Sequence, residues 1–154
     1  MESFIEYLNE LESSVAFLTE IWLTDSDHLD ADIEGLENRT NYSLICRNRR
    51  ANARGYSTGG VAIAFKKSHI NFKKIDLVGN VYEIIFAVGT MPRFSRKFIS
   101  VCVYMPPSMS ASTVAGCFEF LVDGILEMKR QYKDPFIAVS GDFNNFDIAG
   151  ALDD

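Results

Sequence analysis

Apolar positions at helical spacing mark two segments of the chain. An amphipathic helix is predicted over residues 2–13 from the spacing of Phe4, Leu8, Leu11 and Val15. A longer helix is predicted after Ser110 or Ser112, because either residue can cap it. The apolar positions of this second helix fall on one face, at Val114, Cys117, Phe118, Leu121, Ile125 and Met128.

Short continuous apolar runs lie between and after these helices and have the length of strands. Strands are predicted over residues 15–18, 42–47, 59–66, 69–77, 81–91, 98–105 and 136–139. The run 81–91 alternates by face, whereas Val15–Leu18 suits a strand that is buried on both faces. Residues 24–41 and 47–58 are interpreted as irregular, the first segment acidic and the second basic.

This order of elements predicts a layered α/β or α+β protein. Most of the strands are too apolar for a sheet with one face in water. Two sheets packed face to face and covered by helices fit the pattern, and so does a single sheet covered by helices. Periodicity leaves both arrangements open.

Size and composition describe an ordered domain. The chain has 154 residues, enough for one domain or part of one, and is 47% apolar and 23% charged. No apolar run approaches the ~18–20 residues of a membrane helix, and the acidic N-terminus does not resemble a targeting signal. The three cysteines, Cys46, Cys102 and Cys117, lack zinc-site spacing. We therefore expect an intracellular protein with reduced thiols and no membrane segment.

Charge is distributed unevenly along the chain. The net charge is −6, but residues 1–37 hold 11 acidic and no basic residues, whereas residues 38–97 hold 12 basic and 2 acidic ones. Residues 98–154 are acidic again, with 8 acidic and 3 basic residues. A basic middle segment can bind the phosphates of a polyanion even when the whole protein is acidic. The alternative is two solvated faces of opposite sign.

Polar residues with useful chemistry follow three of the predicted strands. Glu20 ends the first strand, Tyr104 lies near the end of another, and Asp142 and Asn144 follow the last. In α/β sheets the functional crevice lies beyond the carboxyl ends of the strands. Each residue taken alone also fits a cap, a turn or a half-buried strand position. As a set they suggest a phosphoryl-transfer site.

The residue types suit hydrolysis of a phosphoester. Glu20 can ligate Mg²⁺, and Asp142 can orient or deprotonate a water, or protonate the leaving oxygen. Asn144 and Tyr104 can donate hydrogen bonds to a phosphoryl oxygen as charge develops on it. The flanking phosphates would be held by Arg47, Arg49, Arg50 and Arg54.

Four segments, in this order and at this spacing, resemble the endonuclease domain of LINE-type non-LTR retrotransposons. They are Leu18-Thr19-Glu20-Ile21-Trp22-Leu23, Arg47–Arg50 with Gly59-Gly60-Val61-Ala62-Ile63, Val103-Tyr104-Met105-Pro106-Pro107, and Ser140–Asn144. That domain belongs to the endonuclease/exonuclease/phosphatase superfamily and is related to apurinic endonucleases. The resemblance runs from about residue 4 to residue 154.

The resemblance implies a four-layer α/β sandwich and Mg²⁺-dependent hydrolysis of DNA, with Mn²⁺ as an alternative metal. By the same match, Glu20 is the metal ligand, Asp142 the acid or base, Asn144 the residue that positions phosphate and nucleophile, and Tyr104 a phosphate contact. The basic middle, including Arg47, Arg49 and Arg50, would meet the DNA. A nuclear location is expected from the family.

The match is incomplete at both ends. The family begins with a strand carrying a catalytic asparagine, which Asn9 does not replace, and it ends with strands carrying a further aspartate and a Ser-Asp-His motif. We therefore expect residues 1–154 to be an incomplete domain, weak or inactive as a nuclease by itself. Ser26-Asp27-His28 has the sequence of this motif, but it follows the first strand and lies in a predicted acidic loop. Neither His28 nor His69 is therefore expected to replace the catalytic histidine.

Two other functions compete with the endonuclease. One is a non-enzymatic remnant that binds nucleic acid through Arg47–Arg54 and Lys66–Lys74. The other is a superfamily phosphatase acting on phosphoinositide- or sphingomyelin-type phosphoesters. The residues Thr19–Leu23 of the first segment and Met105-Pro106-Pro107 of the third favour the retroelement enzyme over the phosphatase.

Overall fold

The computed structural model describes residues 2–21, 29–47, 59–90 and 95–144. The helices are α1 (Glu2–Glu10), α2 (Leu29–Arg39) and α3 (Ala111–Gln131). The strands are β1 (Val15–Thr19), β2 (Tyr42–Arg47), β3 (Val61–Lys66), β4 (Asn71–Ile75), β5 (Glu83–Thr90), β6 (Lys97–Tyr104) and β7 (Phe136–Asp142).

These strands form two sheets. The first has the order β1-β3-β2 and is antiparallel throughout. The second has the order β4-β5-β6-β7, in which the β6–β7 pair is parallel and the other pairs are antiparallel. The parallel pair needs a crossover, which α3 supplies, as a βαβ unit requires.

The sheets pack face to face and are covered by helices on both outer sides. The core between the sheets contains Ile63 and Phe65 from β3, Ile85 from β5 and Cys102 from β6. The helix α3 packs on the outer face of the second sheet, against Phe86 and Val101 among others. Residues of α1 and α2 cover the outer face of the first sheet, where Leu8 and Leu36 of the helices pack with Tyr42 of β2. The described residues thus form a four-layer α/β sandwich, and the face-to-face arrangement of two sheets is confirmed.

The predicted long helix is present with its cap. The Ser110 side chain accepts a hydrogen bond from the Thr113 backbone N–H at 3.2 Å and so begins α3. Cys117, Leu121 and Met128 are buried on the predicted face. No helix among the described residues is long and apolar enough to cross a membrane.

The prediction that residues 24–41 are irregular is wrong for most of this range, because α2 occupies Leu29–Arg39. Leu29, Ile33 and Leu36 have the helical spacing i, i+4, i+7, which the many acidic residues obscure. Arg39 in the last turn also suits the helix dipole.

Two strands differ from their predicted form. The strand β5 does not alternate between core and solvent: Ile84–Gly89 is buried throughout, since the first sheet covers one face and α3 the other. The strand β7 runs beyond Val139 to Asp142, because the parallel pairing with β6 continues to the pair Tyr104–Asp142. Gly141 and Asp142 are therefore strand residues and not a turn.

A candidate active site at one edge of the two sheets

The ends of six strands meet at one edge of the sandwich. In the first sheet, Val61 at the start of β3 pairs with Thr19 at the end of β1 and with Arg47 at the end of β2. In the second sheet, Tyr104 at the end of β6 pairs with Glu83 at the start of β5 and with Asp142 at the end of β7. The register of each sheet thus aligns three of these ends, and hydrogen bonds between the sheets join the two groups.

A hydrogen bond between Tyr104 and Glu20 joins the two sheets at this edge. The Tyr104 hydroxyl donates to Glu20 Oε1 at 2.5 Å. Two residues back on both strands, Cys102 Sγ donates to the Leu18 carbonyl at 3.5 Å, so β1 and β6 run alongside each other in the same direction. The Tyr104 side chain is only 6% exposed, whereas Glu20 is exposed. A buried phenol thereby fixes a carboxylate that faces solvent.

Glu20 has a backbone conformation that non-glycine residues rarely adopt. Its φ is 54°, in the left-handed region, which costs an L-residue about 1–2 kcal/mol. Strain of this kind concentrates at functional sites, where the surrounding structure holds it in place. Here the Tyr104 hydroxyl holds the side chain, and the Ile21 N–H donates to the Gly60 carbonyl at 3.4 Å just beyond it.

Asp142 and Asn144 are fixed to the end of β6 by backbone contacts. The Met105 N–H donates to the Asp142 carbonyl at 2.9 Å. The Asn144 N–H donates to Asp142 Oδ1 at 2.8 Å, and Asn144 Nδ2 donates to the Met105 carbonyl at 2.7 Å. Asn144 has φ 50°, a conformation that asparagine tolerates well. The Asn144 amide is therefore anchored to Met105, with one N–H committed to that contact.

The predicted basic residues are only partly described. Arg47 lies at this edge, and its Nη2 donates to the Asn80 carbonyl at 2.5 Å. Its guanidinium thus has a structural role in addition to any contact with phosphate. Arg49, Arg50 and Arg54 lie outside the described residues.

Of the two histidines, only His69 is described, and it lies away from this edge. The Ser26-Asp27-His28 triplet lies outside the described residues. His69 Nδ1 is 2.9 Å from Ser14 Oγ, and Ser14 precedes β1. Since Glu20 follows β1, His69 and Glu20 are separated by the length of that strand, about 17 Å for five residues. The pair Lys66–Lys67 lies at the same far end.

Glu83 is a residue of this edge that the sequence patterns did not identify. Its Oε2 accepts a hydrogen bond from the Gly60 N–H at 2.8 Å, which ties the segment before β3 to the second sheet. Gly59 and Gly60 have φ of 92° and 97°, so this approach requires glycine. The sequence feature that could have identified Glu83 is its position as the one acidic residue at the start of an otherwise apolar strand.

The carboxylates at this edge suit a hard cation that keeps most of its water ligands better than a cation coordinated only by protein side chains. Among residues 2–21, 29–47, 59–90 and 95–144, no group of three His, Cys, Asp or Glu side chains could hold a metal ion. Mg²⁺ is often bound through one or two carboxylates, several waters and substrate phosphate oxygens. The exposed Glu20 carboxylate fits that mode of binding.

The cysteine near the edge does not serve as a nucleophile. Cys102 is fully buried, and burial raises the pKa of its thiol to about 12. At neutral pH the thiolate, which is the reactive form, is therefore nearly absent.

Comparison with known proteins places this edge in a known fold. No family model and no curated protein matches the chain. A solved structure of a humanized D. rerio TDP2 is similar, with TM-score 0.59 and 20% identity over 98% of this chain and 57% of that chain. The human Nocturnin catalytic domain with bound sulfate matches with TM-score 0.59 and 17% identity over 94% of this chain and 55% of that one. D. rerio TDP2 complexed with a single-strand DNA product has TM-score 0.57 and 17% identity, over 98% of this chain and 56% of that one.

The chain shares the fold of these solved structures, a four-layer α/β sandwich of the endonuclease/exonuclease/phosphatase type. The four-layer sandwich expected from the resemblance is therefore confirmed for the described residues. The chain spans just over half the length of the solved chains that it matches.

Proposed function

We propose that this chain is part of a Mg²⁺-dependent endonuclease domain that hydrolyses DNA phosphodiester bonds, of the kind found in LINE-type retroelements. The observation that carries the proposal is the meeting of Glu20, Tyr104 and Asp142 at one edge, with Tyr104 hydrogen-bonded to Glu20 across the two sheets. The retroelement assignment, and with it a nuclear location, is supported by the four motif segments.

The residues at the edge have complementary roles in this proposal. Glu20 holds the metal, with Tyr104 fixing one of its carboxylate oxygens and lying beside the phosphate. Asp142 accepts or donates the proton of the attacking water or leaving oxygen. Asn144 positions the phosphate through the amide that Met105 anchors.

Mg²⁺ would supply charge neutralisation of the phosphate when bound. Glu20 is the ligand that the described residues offer, with waters and the substrate completing the shell, and Mn²⁺ has similar ligand preferences. The chain's own residues then orient this ligand, hold the phosphate and transfer the proton.

DNA as the substrate is supported by two observations. The edge carries Arg47, and Arg49 and Arg50 follow it in the chain, which would let the guanidinium groups contact flanking phosphates. One solved structure with the same fold, that of D. rerio TDP2, holds a single-strand DNA product.

The test is nicking of supercoiled plasmid in Mg²⁺. We expect slow nicking that EDTA abolishes, because no described histidine lies at this edge and loss of one charge-stabilising group costs roughly 10²–10³-fold in rate. Asp142→Asn should remove the remaining activity. Asp123→Asn, the same change on the exposed face of α3, is the matched control and should leave it intact.

Two results would contradict the proposal in different ways. DNA that is bound but never cut in Mg²⁺ or Mn²⁺ would identify a non-enzymatic nucleic-acid-binding protein. Hydrolysis of a phosphoinositide or of sphingomyelin, with DNA left intact, would identify a superfamily phosphatase.

A further inference from the structure

Glu83 lies opposite Tyr104 on the neighbouring strand, and both side chains reach toward the first sheet. This pair ends the register between β5 and β6 at the edge of the candidate site. Residues that pair across two strands have their side chains on the same face of the sheet. Tyr104 holds the Glu20 carboxylate from that position, and Glu83 accepts the hydrogen bond of the Gly60 N–H at 2.8 Å. One pair of residues in the second sheet thus contacts the first sheet at two points.

We propose that Glu83 is a positioning residue for Glu20, and that it acts through the peptide groups of Gly60. Tyr104 fixes the side chain of Glu20, whereas Glu83 fixes the backbone from which that side chain projects. The inference rests on the proposed function, since it concerns Glu20 as the ligand of the metal. It goes further because it assigns the preparation of that ligand to a residue outside the four motif segments.

The segment before β3 needs such a contact because it contains two successive glycines. Gly59 and Gly60 both have positive φ, and both are buried. Glycine loses more conformational freedom on folding than any other residue, so hydrogen bonds must select this one conformation. A buried N–H without a partner is also unfavourable. The Glu83 carboxylate meets both requirements with one charge-assisted hydrogen bond.

Gly60 passes this constraint to the residue after Glu20. If the register continued beyond the pair Thr19–Val61, Glu20 would pair with Gly60. The Gly60 carbonyl instead accepts the Ile21 N–H at 3.4 Å, so Glu20 is an extra residue opposite Gly60, as at a β-bulge. A bulge re-aims the side chain of the extra residue, and here it accommodates the left-handed φ of 54° at Glu20.

The expected consequence for metal binding is a ligand that is oriented in advance. A carboxylate whose backbone and side chain are both fixed loses little conformational freedom when it binds a cation. With Gly60 released, Glu20 can leave its strained conformation, and it must return to that conformation each time a cation binds. Residues that orient a metal ligand typically contribute about 10–100-fold to the affinity for the metal. We therefore expect Glu83 to contribute about tenfold.

The test uses the full chain and Mn²⁺ as the probe, with binding measured from the paramagnetic broadening of backbone amide signals in NMR spectra. Glu83→Asp keeps the charge but shortens the side chain by one methylene group, which withdraws the carboxylate from Gly60. Glu83→Gln removes the charge but keeps an oxygen acceptor at the same reach. If Glu83 positions Glu20, Glu83→Asp should weaken Mn²⁺ binding about tenfold, and Glu83→Gln should retain most of the affinity.

Hydrogen exchange at the Ile21 amide follows the connection through Gly60 directly. This exchange should become faster in Glu83→Asp and stay slow in Glu83→Gln. The Met105 amide, which is bonded to the Asp142 carbonyl at the same edge, should stay protected in both variants. Glu119→Asp makes the same change at an exposed position of α3, and this matched control should alter neither measurement.

The outcomes separate this inference from the proposed function. Binding in Glu83→Gln that is as weak as in Glu83→Asp, or weaker, would show that Glu83 acts by its charge and would overturn the inference. Unchanged Mn²⁺ binding in both variants would also overturn it, because Glu83 would then be a structural contact only. A chain that binds no Mn²⁺, or whose binding survives Glu20→Gln, would overturn the metal site of the proposed function together with the inference.

Discussion

Replacement of Gly141 by alanine should separate β7 from β6 at the candidate active site. A Cβ atom at this position would lie 1.8 Å from the Val103 carbonyl oxygen, whereas real Cβ contacts stay above 3.0 Å. The φ of Gly141 is also 152°, which an L-residue rarely adopts. Since the opposing atom belongs to the backbone, no side-chain rotation relieves the clash, and the strands must move apart by more than about 1 Å.

The expected cost follows from what that movement breaks. An unfavourable backbone conformation contributes about 1–3 kcal/mol. Separation of the strand ends also weakens the bonds from the Met105 N–H to Asp142 and from Asn144 to Met105, each about 0.5–1.5 kcal/mol. Gly141→Ala should therefore lower the free energy of unfolding by about 2–6 kcal/mol.

Urea unfolding followed by circular dichroism measures the effect. Gly35→Ala is the matched control, because Gly35 lies within α2 with nothing within 4 Å of the added Cβ. That change should stabilise the protein by about 0.5–1 kcal/mol. If the free energy of unfolding of Gly141→Ala differed from that of the unchanged protein by less than about 1 kcal/mol, the close approach of β6 and β7 would be wrong.

Four further measurements test other parts of the structure. Ser100 Oγ is buried without a hydrogen-bond partner among the described residues, so Ser100→Ala should leave the free energy of unfolding unchanged or raise it by up to about 1 kcal/mol in urea unfolding. A decrease of more than about 1 kcal/mol would show that Ser100 has a partner. Burial raises the pKa of the Cys46 and Cys102 thiols to about 12 and that of Cys117 to about 11, so Ellman's reagent at pH 8 should react with the thiols only after unfolding. Because these folded pKa values lie above the usual value of about 9, the stability that they contribute is complete below pH 9 and is lost as pH rises toward 12, and a pH series of urea curves should show that decline. Arg47→Ala should reduce the slope of log DNA affinity against log salt by about 1, and unchanged binding would limit Arg47 to its contact with Asn80.

Local patterns were sufficient where an element is defined by its own residues. The strand β2 has the predicted bounds, and α3 begins after Ser110, one of the two predicted caps, because apolar runs and capping residues act over a few positions. The helix α2 was missed because acidic residues interrupt its apolar pattern, although Leu36 is buried against Ile5 and Leu8. There, packing against α1 decides the structure and propensity does not.

The site was harder to predict because its contacts join residues far apart in the chain. The order of the motifs predicted that Glu20, Tyr104 and Asp142 belong to the site. It did not predict the hydrogen bond between Tyr104 and Glu20, which are 84 positions apart in the chain. Glu83 was missed because its function depends on Gly60, 23 positions away, and on the register between β5 and β6. A sequence pattern can identify the residues that follow strands. The strand register and the packing of the two sheets determine which of those residues come into contact.

The charges of the described residues at this edge predict that a divalent cation strengthens phosphate binding. These residues carry three carboxylates, on Glu20, Glu83 and Asp142, and one guanidinium, on Arg47, so by themselves they would repel a phosphodiester. A divalent cation on Glu20 would reverse that balance. Added Mg²⁺ should then increase the affinity for DNA, whereas a protein that holds DNA only through exposed basic residues binds less tightly as Mg²⁺ competes for the phosphates. The sign of the Mg²⁺ effect on binding therefore distinguishes an enzyme site at this edge from a purely electrostatic DNA-binding surface, even where turnover is too slow to measure.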